Sequence, residues 1–179
     1  MSAAEKKRRN VPPVRPLADD PIDLAHASWT GQGWVDAAGG MAVVTSIMRV
    51  QQVLLARVEA ILRPLGLTFA RYEVLMLLRF SRKGLLPVGK IGERLQVHPA
   101  SVTNAVQRLE QDGFVRRSGN PADGRSVLAE ITASGKRVSD KATAQLNAQV
   151  FAIVPIPPDE QSQIYAVLKG MRHAFGDFR

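Results

Sequence analysis

One stretch constrains the fold more than any other. Between Val88 and Ile131 the pattern runs through a helix, a tight connection, a second helix and two alternating strands, in that order. Ile91 and Leu95 give Val88–Leu95 a short apolar face, although Gly89 and Gly92 make it a poor helix that tertiary packing has to hold. Gln96, Val97 and His98 leave room only for a tight turn. A helix follows over Pro99–Asp112, opened by a proline whose fixed φ suits the first helical position and closed by Gly113. Phe114–Arg117 and Ser126–Ile131 read as strands, and the turn-forming residues Ser118–Gly124 between them predict a hairpin with a long exposed tip. This order predicts a winged helix-turn-helix.

The flanks are helical. Asp20 reads as an N-cap with Pro21 behind it, and Ile22, Ala25 and Trp29 share a face, so a short helix is expected before Thr30. Gly31, Gly33, Gly39 and Gly40 predict a loop. From Met41 to about Pro64 one stripe carries Val44, Ile47, Met48, Leu54, Leu55, Val58, Ile61 and Leu62. Thr68 caps a helix reaching about Phe80, with Tyr72, Leu75 and Leu78 inward. Thr132 caps another, with Val138, Ala142, Leu146, Val150 and Ile153 on one face; after the prolines at 155, 157 and 158, a last helix carries Ile164, Leu168, Met171 and Phe175. The expected fold is mainly α: a winged helix-turn-helix with added dimerisation helices, six or seven helices in all and a small β-hairpin wing. The expected divisions are a disordered basic arm (1–18), an N-terminal helix and loop (19–40), a helical dimerisation region (41–66 with 133–179) and a DNA-binding lobe (67–132). The three outer stripes exceed what a small winged helix buries, which points to an interface, with a larger monomeric core as the alternative.

Composition mainly excludes. The chain has no cysteine, so disulfides and thiolate metal sites are out, and His26, His98 and His173 make no spaced ligand pair. No clustered His/Asp/Glu set and no phosphate loop is present, so neither an enzyme, a metal site nor a cofactor is expected. No run approaches the roughly 18 apolar residues of a membrane span, and nothing apolar follows the charged N-terminus, so a cytoplasmic protein without a membrane partner is expected. The net charge of +8 suggests a polyanion partner. Half of that excess lies in residues 1–16, with Lys6, Lys7, Arg8, Arg9 and Arg15 against Glu5. The rest of the chain is only mildly basic.

On the helix after the turn, Val102, Ala105, Val106 and Leu109 cluster on one side. Ala100, Asn104, Gln107, Arg108 and Gln111 lie opposite, flanked by Ser101 and Thr103. Apart from Ala100 these are donors and acceptors of the kind that read base edges in a major groove, although an ordinary polar surface helix has the same look. Arg125 stands just past the hairpin tip, where a guanidinium can enter a minor groove. Asp123 can pair with Arg125 and hold its pose, or simply serve turn chemistry. The candidate DNA-binding residues are Ala100, Ser101, Thr103, Asn104, Gln107, Arg108, Asp123 and Arg125.

Residues 86–138 resemble the DNA-binding core of the MarR family. The resemblance is carried by L-E-x-x-G-F-V-x-R (Leu109 to Arg117), D-x-R-S (Asp123 to Ser126) and I-T-x-x-G (Ile131 to Gly135), with L-T-x-x-x-Y-x-V-L (Leu67 to Leu75) before them. It covers about residues 41–175. It implies a homodimer on a pseudo-palindromic double-stranded operator, and a transcriptional regulator, a repressor released by a small, often aromatic and anionic, ligand. The tryptophan-bearing helix before the long one is similar to the urate-responsive PecS branch. Glu73, where that branch has Asp, and Ala105, where it has Arg, depart from it. The effector candidates are Trp29, Glu73 and Arg117 from the resemblance, with Arg49, Gln52, Tyr72 and Trp34 from their positions. A non-specific nucleic-acid-binding or packaging protein without an effector is the competing reading, and a ligand-free structural dimer the third.

Overall fold

The computed structural model describes residues 17–179; the basic arm expected at the N-terminus lies, but for Leu17 and Ala18, outside the described residues. The elements are α1 (Pro21–Gly31), α2 (Val35–Leu62), a 3-10 turn (Arg63–Leu65), α3 (Phe69–Phe80), β1 (Leu85–Pro87), α4 (Val88–Leu95), α5 (Pro99–Gln111), β2 (Val115–Gly119), β3 (Val127–Ile131), α6 (Ala133–Gln149), a 3-10 turn (Phe151–Ile153) and α7 (Pro158–Ala174). The described residues form two compact units, divided between Val53 and Leu54.

In the first unit Asp20 caps α1 by accepting from Ile22 N at 2.8 Å. Helix α2 begins at Val35, so the residues 35–40 expected as loop are its first turns. Gly39 and Gly40 cost a helix about 0.5–1 kcal/mol each, which is why the sequence reads as a break there; the continuous helix from Met41 to Leu62 absorbs it. The segment Val35–Leu65 is also long and apolar enough to cross a membrane, with a mean hydropathy of 1.3 over an 18-residue stretch of it. That corrects the expectation of no such stretch: Thr45, Ser46, Arg49, Gln51 and Gln52 interrupt the apolar run, while the Val, Ile, Leu and Met residues between them keep its average high. Arg49, Gln51 and Gln52 sit mid-segment, and one charge at the centre of a bilayer costs about 2.5–3.5 kcal/mol.

In the second unit one core joins every element between the end of α2 and α6. Leu62, Leu67, Leu75, Leu78, Ile91, Leu109 and Leu146 are fully buried in it, each contributing about 1.5–3 kcal/mol. Thr68 caps α3, its Oγ1 accepting from Arg71 N, while Glu59 accepts from Phe69 N at 2.8 Å. Tyr72 is buried with its hydroxyl 2.9 Å from Thr143 Oγ1, which ties α3 to α6. The sheet has the order β1-β3-β2, both pairs antiparallel, with Leu85 opposite Glu130 and Arg116 opposite Glu130 on the other side. Strand β1 is absent from the sequence expectation, because three residues carry no alternation and its partner lies over forty residues away.

The junction of wing and α6 is the tightest place. Thr132 Oγ1 accepts from Gly135 N at 3.0 Å and donates to Gly113 O at 2.8 Å. A Cβ on Gly135 would stand 2.1 Å from the carbonyl oxygen of Phe114 and 2.9 Å from the Ile131 side chain. The closing glycine of the I-T-x-x-G run is thus a contact surface for the backbone of another element. Gly135→Ala should therefore lower stability by about 1–3 kcal/mol or more, as overpacking of a closed site does. Gly89→Ala, where the added carbon meets nothing, should be neutral or stabilising by up to about 1 kcal/mol. Urea denaturation of the two variants measures both.

Candidate nucleic-acid interface

Helix α5 is opened by His98, whose Nδ1 accepts from Ala100 N at 3.2 Å, with Pro99 in the first turn. It ends in the paired bonds of a Schellman turn: Phe114 N donates to Leu109 O, Gly113 N to Glu110 O, and Gly113 takes a φ of 73°. Val102, Val106 and Leu109 are buried and Ala105 half-buried, so the opposite side faces solvent. Ala100, Ser101, Thr103, Asn104, Gln107 and Arg108 are all exposed. Thr103 Oγ1 donates to Pro99 O at 2.9 Å, and Arg108 Nη1 lies 3.4 Å from Gln111 Oε1. Asn104 and Gln107 make no side-chain hydrogen bond among the described residues, so their amides have donors and acceptors to spare.

The hairpin tip is a set of nested turns. Asn120 Oδ1 accepts from Ala122 N at 3.1 Å, Asn120 Nδ2 donates to Ser126 Oγ at 2.8 Å, and Ser126 N donates to Asp123 O at 3.0 Å. Asp123 Oδ1 accepts from the backbone N–H of Arg125 at 3.1 Å. It makes no ion pair with the Arg125 guanidinium, so its contact to Arg125 is through the turn backbone. The carboxylate fixes the backbone of Arg125 and leaves its side chain exposed.

Most other arginines around α5 already have partners. Arg117 Nε lies 2.5 Å from Glu110 Oε2, and its N–H reaches Glu110 Oε1. Arg116 pairs across the strands with Glu130 at 2.7 Å, a contact that raises its pKa. Arg71 of α3 meets Asp112 at 2.9 Å, and Arg79 meets Asp140 of α6 at 3.3 Å. Sequence reasoning missed Glu110, Asp112 and Glu130 as partners. The signal for the first was present, since the L-E-x-x-G-F-V-x-R run returns the chain from Glu110 to Arg117 across one helix end.

The effector candidates do not converge within either unit. In the first, Arg49 and Gln52 line a hollow of about 260 Å3 with Ile22, Ala25 and Met48. Trp29 lies outside it, packed edge-on against Trp34 at 5.3 Å. In the second, Tyr72 is a core residue, Arg117 is held at the wing base by Glu110, and Glu73 borders a separate recess facing the C-terminal helix. Partial burial raises the Glu73 carboxyl above its ordinary pKa.

The comparisons with known proteins agree on the lobe. Residues 67–127 match the MarR family profile. An HTH-type transcriptional repressor of Mycobacterium tuberculosis is 32% identical over 118 residues, spanning 64% of this chain and 84% of the relative. The fold is similar to that of a MarR family transcriptional regulator from Streptomyces coelicolor, at 51% identity and a TM-score of 0.72 over 78% of this chain and 97% of that one. It is also similar to CouR from Rhodococcus jostii bound to p-coumaroyl-CoA, at 28% identity and a TM-score of 0.64 over 76% and 94% of the two chains.

Glu73 supplies a pH test of the packing within this lobe. An acid whose pKa is raised by folding binds more protons folded than unfolded between the two values, so stability falls as pH rises through that interval. Glu73→Gln should melt above the parent at neutral pH, and the difference should close as pH drops below 4.5, the ordinary glutamate value. A difference independent of pH would mean that ionisation is not its cause.

Proposed function

We propose, from the premise that this chain belongs to the MarR family and is a DNA-binding transcriptional regulator, that it acts as a homodimeric repressor on a pseudo-palindromic operator and is released by a small anionic aromatic ligand. The observation that carries the DNA reading is the exposed polar face of α5 beside a wing whose tip leaves Arg125 without an ion pair among the described residues. Asn104 and Arg108 read base edges, Ser101, Thr103 and Gln107 add contacts along the helix, Ala100 lets the backbone approach, and Arg125 enters the flanking minor groove. The pairing of Arg71, Arg79, Arg116 and Arg117 with carboxylates favours this over non-specific packaging. A packaging surface needs many cations free to neutralise phosphates.

The dimer is supported by apolar side chains that the single chain leaves exposed: Val44, Met48 and Leu54 on α2, Phe151 and Ile153 after α6, and Ile164, Leu168 and Phe175 on or just past α7. A protein partner covering α2 also accounts for its hydropathy without a membrane. The ligand reading is supported by CouR, whose structure is bound to p-coumaroyl-CoA; its candidate residues are Trp29, Arg49, Gln52, Tyr72, Glu73 and Arg117. Of these, Tyr72 acts only through the core it belongs to.

Selection from random duplexes on the purified protein tests the whole reading. Enriched sites should be two-fold symmetric, with half-sites about 34 Å apart, and a spacer altered by about half a turn should abolish specific binding. Asn104→Ala and Arg108→Ala should each relax one base preference, at about 1–3 kcal/mol per bidentate contact. Arg125→Ala should weaken binding and lose preference for narrow A·T-rich flanks. A single asymmetric half-site bound by one chain would refute the dimer, and a competitor-insensitive, purely salt-governed affinity would favour packaging.

A further inference from the structure

The loop that ends α3 is fixed against the start of α6. Ser81 Oγ donates to Leu78 O at 2.8 Å and accepts from Leu85 N at 3.0 Å. Gly84 N donates to Ser81 O at 3.1 Å, and Gly84 O accepts from Ile131 N at 2.9 Å. Gly84 takes a φ of 67°, and a Cβ there would stand 3.1 Å from the Ile131 side chain. Helices α3 and α6 run antiparallel beside this loop, Tyr72 meeting Thr143 and Arg79 meeting Asp140. One turn before Asp140 on the same row stands Lys136, which comes level with the loop. Loop and helix thus place Phe80, Arg82, Lys83, Lys136 and Arg137 along one border of the lobe, all of them exposed.

Charge on this border is one-sided. From Val74 to Gly92, and again from Ile131 to Ser139, the chain has no carboxylate. Of the cations in those stretches, Arg79 takes Asp140 and Lys90 takes Glu93. Arg82, Lys83, Lys136 and Arg137 make no ion pair among the described residues. Glu130, opposite Leu85 in the sheet, is already held by Arg116. Phe80 ends α3 with 76% of its surface exposed. Around α5 the arginines are paired off, whereas here four cations stand unmatched beside an uncovered ring. The cations call for a polyanion, and the ring calls for an apolar side chain carried on it. Duplex phosphates supply only the first. The border also lies at the base of the wing, and β3, about 13 Å of extended chain, separates it from the tip.

We infer that this border docks an acidic segment of a partner protein, one that carries an aromatic or large apolar side chain among its carboxylates. Arg82, Lys83, Lys136 and Arg137 take the carboxylates, and Phe80 packs against the apolar side chain. The bonds of Ser81 and Gly84 hold the loop before the partner arrives, which lowers the ordering cost of docking. The surface stands whether or not a small ligand acts on the protein. Its use beside a bound operator rests on the DNA reading above, in which α5 and the wing tip carry the duplex. A regulator built this way holds DNA on one side and an acidic protein on another.

The probe is a fluorescent peptide in which pairs of glutamates alternate with single phenylalanines. It is titrated with the full-length protein at about 0.15 M salt, where long-range attraction is screened. The parent should bind it, and should bind the same peptide with glutamine for glutamate at least about ten-fold more weakly. Lys83→Glu with Lys136→Glu should weaken the peptide about ten-fold or more, and Phe80→Ala about five-fold. Oligomeric mass and operator affinity should stay as in the parent. Arg94→Glu with Lys169→Glu removes the same charge elsewhere and should leave peptide affinity within about two-fold. No binding by the parent up to about 1 mM, where even weak docking shows, overturns the inference. Equal loss in the two double variants overturns it too, because net charge alone would then be at work. Single-stranded oligothymidine bound more tightly than the peptide, and lost in the Lys83 and Lys136 variant, would hand the surface to nucleic acid and refute a protein partner. Displacement of the peptide by operator duplex refutes a second face. If the peptide binds with the expected variant pattern but no symmetric operator is selected, the docking surface stands and the DNA reading fails.

Discussion

Thr132 and Gly135 hold three elements at one point, and the DNA-reading geometry depends on them. Thr132 Oγ1 bonds the carbonyl of Gly113 at the end of α5 and accepts the N–H of Gly135 in the first turn of α6. Gly135 lets the α6 backbone meet Phe114 O at a distance no side chain allows, while Ile131 beside it ends the central strand. The close of the recognition helix, the base of the wing and the start of the helix leading to the C-terminal region thus share one contact. It cannot relax at one element without moving the other two, because packed interiors resist continuous deformation. The proposed DNA reading needs this rigidity, since in it base readout would depend on where α5 lies and minor-groove entry on where the wing lies.

Charge pairing does a second job around that point. Glu110 holds Arg117 where the helix turns into β2, Asp112 holds Arg71, and Glu130 holds Arg116 on the strand face. Each is an exposed or half-exposed pair whose contribution to stability is small, about 0–1 kcal/mol. In the proposed DNA reading their larger consequence would be to withdraw cations from the phosphate backbone, which would lower sequence-independent attraction without weakening base contacts. Arg125 stands apart. Asp123 serves its backbone rather than its guanidinium, so the wing tip keeps its charge while its conformation is set.

The lobe was legible because periodicity and punctuation agree there. The inward set of α5, the caps at Thr68 and Thr132 and the stop at Gly113 follow from spacing and residue type alone. What escaped depends on partners distant in sequence. Strand β1 exists only because β3 offers it an edge, and the start of α2 was hidden by two glycines whose intrinsic cost continuous helix overrides. The role of Asp123 was legible only as a choice between two chemistries, since a carboxylate two residues before an arginine can reach either its backbone or its side chain. The candidate ligand residues were chosen by position along helices, and that gives no view of which cavity a side chain borders. Tyr72 therefore stood among them although its ring completes the core.

Helix α7 presents two faces. Its apolar stripe, at Ile164, Leu168 and Met171, suits a covering chain, and the face about 100° away carries Tyr165, Lys169 and Arg172 towards α3 and the end of α4. A small ligand and a duplex need share no atom for each to alter the other's affinity. They must favour different placements of α5. Linkage then requires that any ligand weakening DNA binding be weakened to the same extent by DNA. The size of the effect is bounded by the ligand's preference between the two placements, whatever its absolute affinity. Gln96, which closes α4 before the turn into α5, sits in a left-handed conformation that costs a non-glycine residue roughly 1–2 kcal/mol. That is the scale of the couplings such switches use, about 1–3 kcal/mol. A turn already holding energy of this order can be re-set by a ligand of ordinary affinity, whereas the glycine-locked contact at Thr132 and Gly135 cannot.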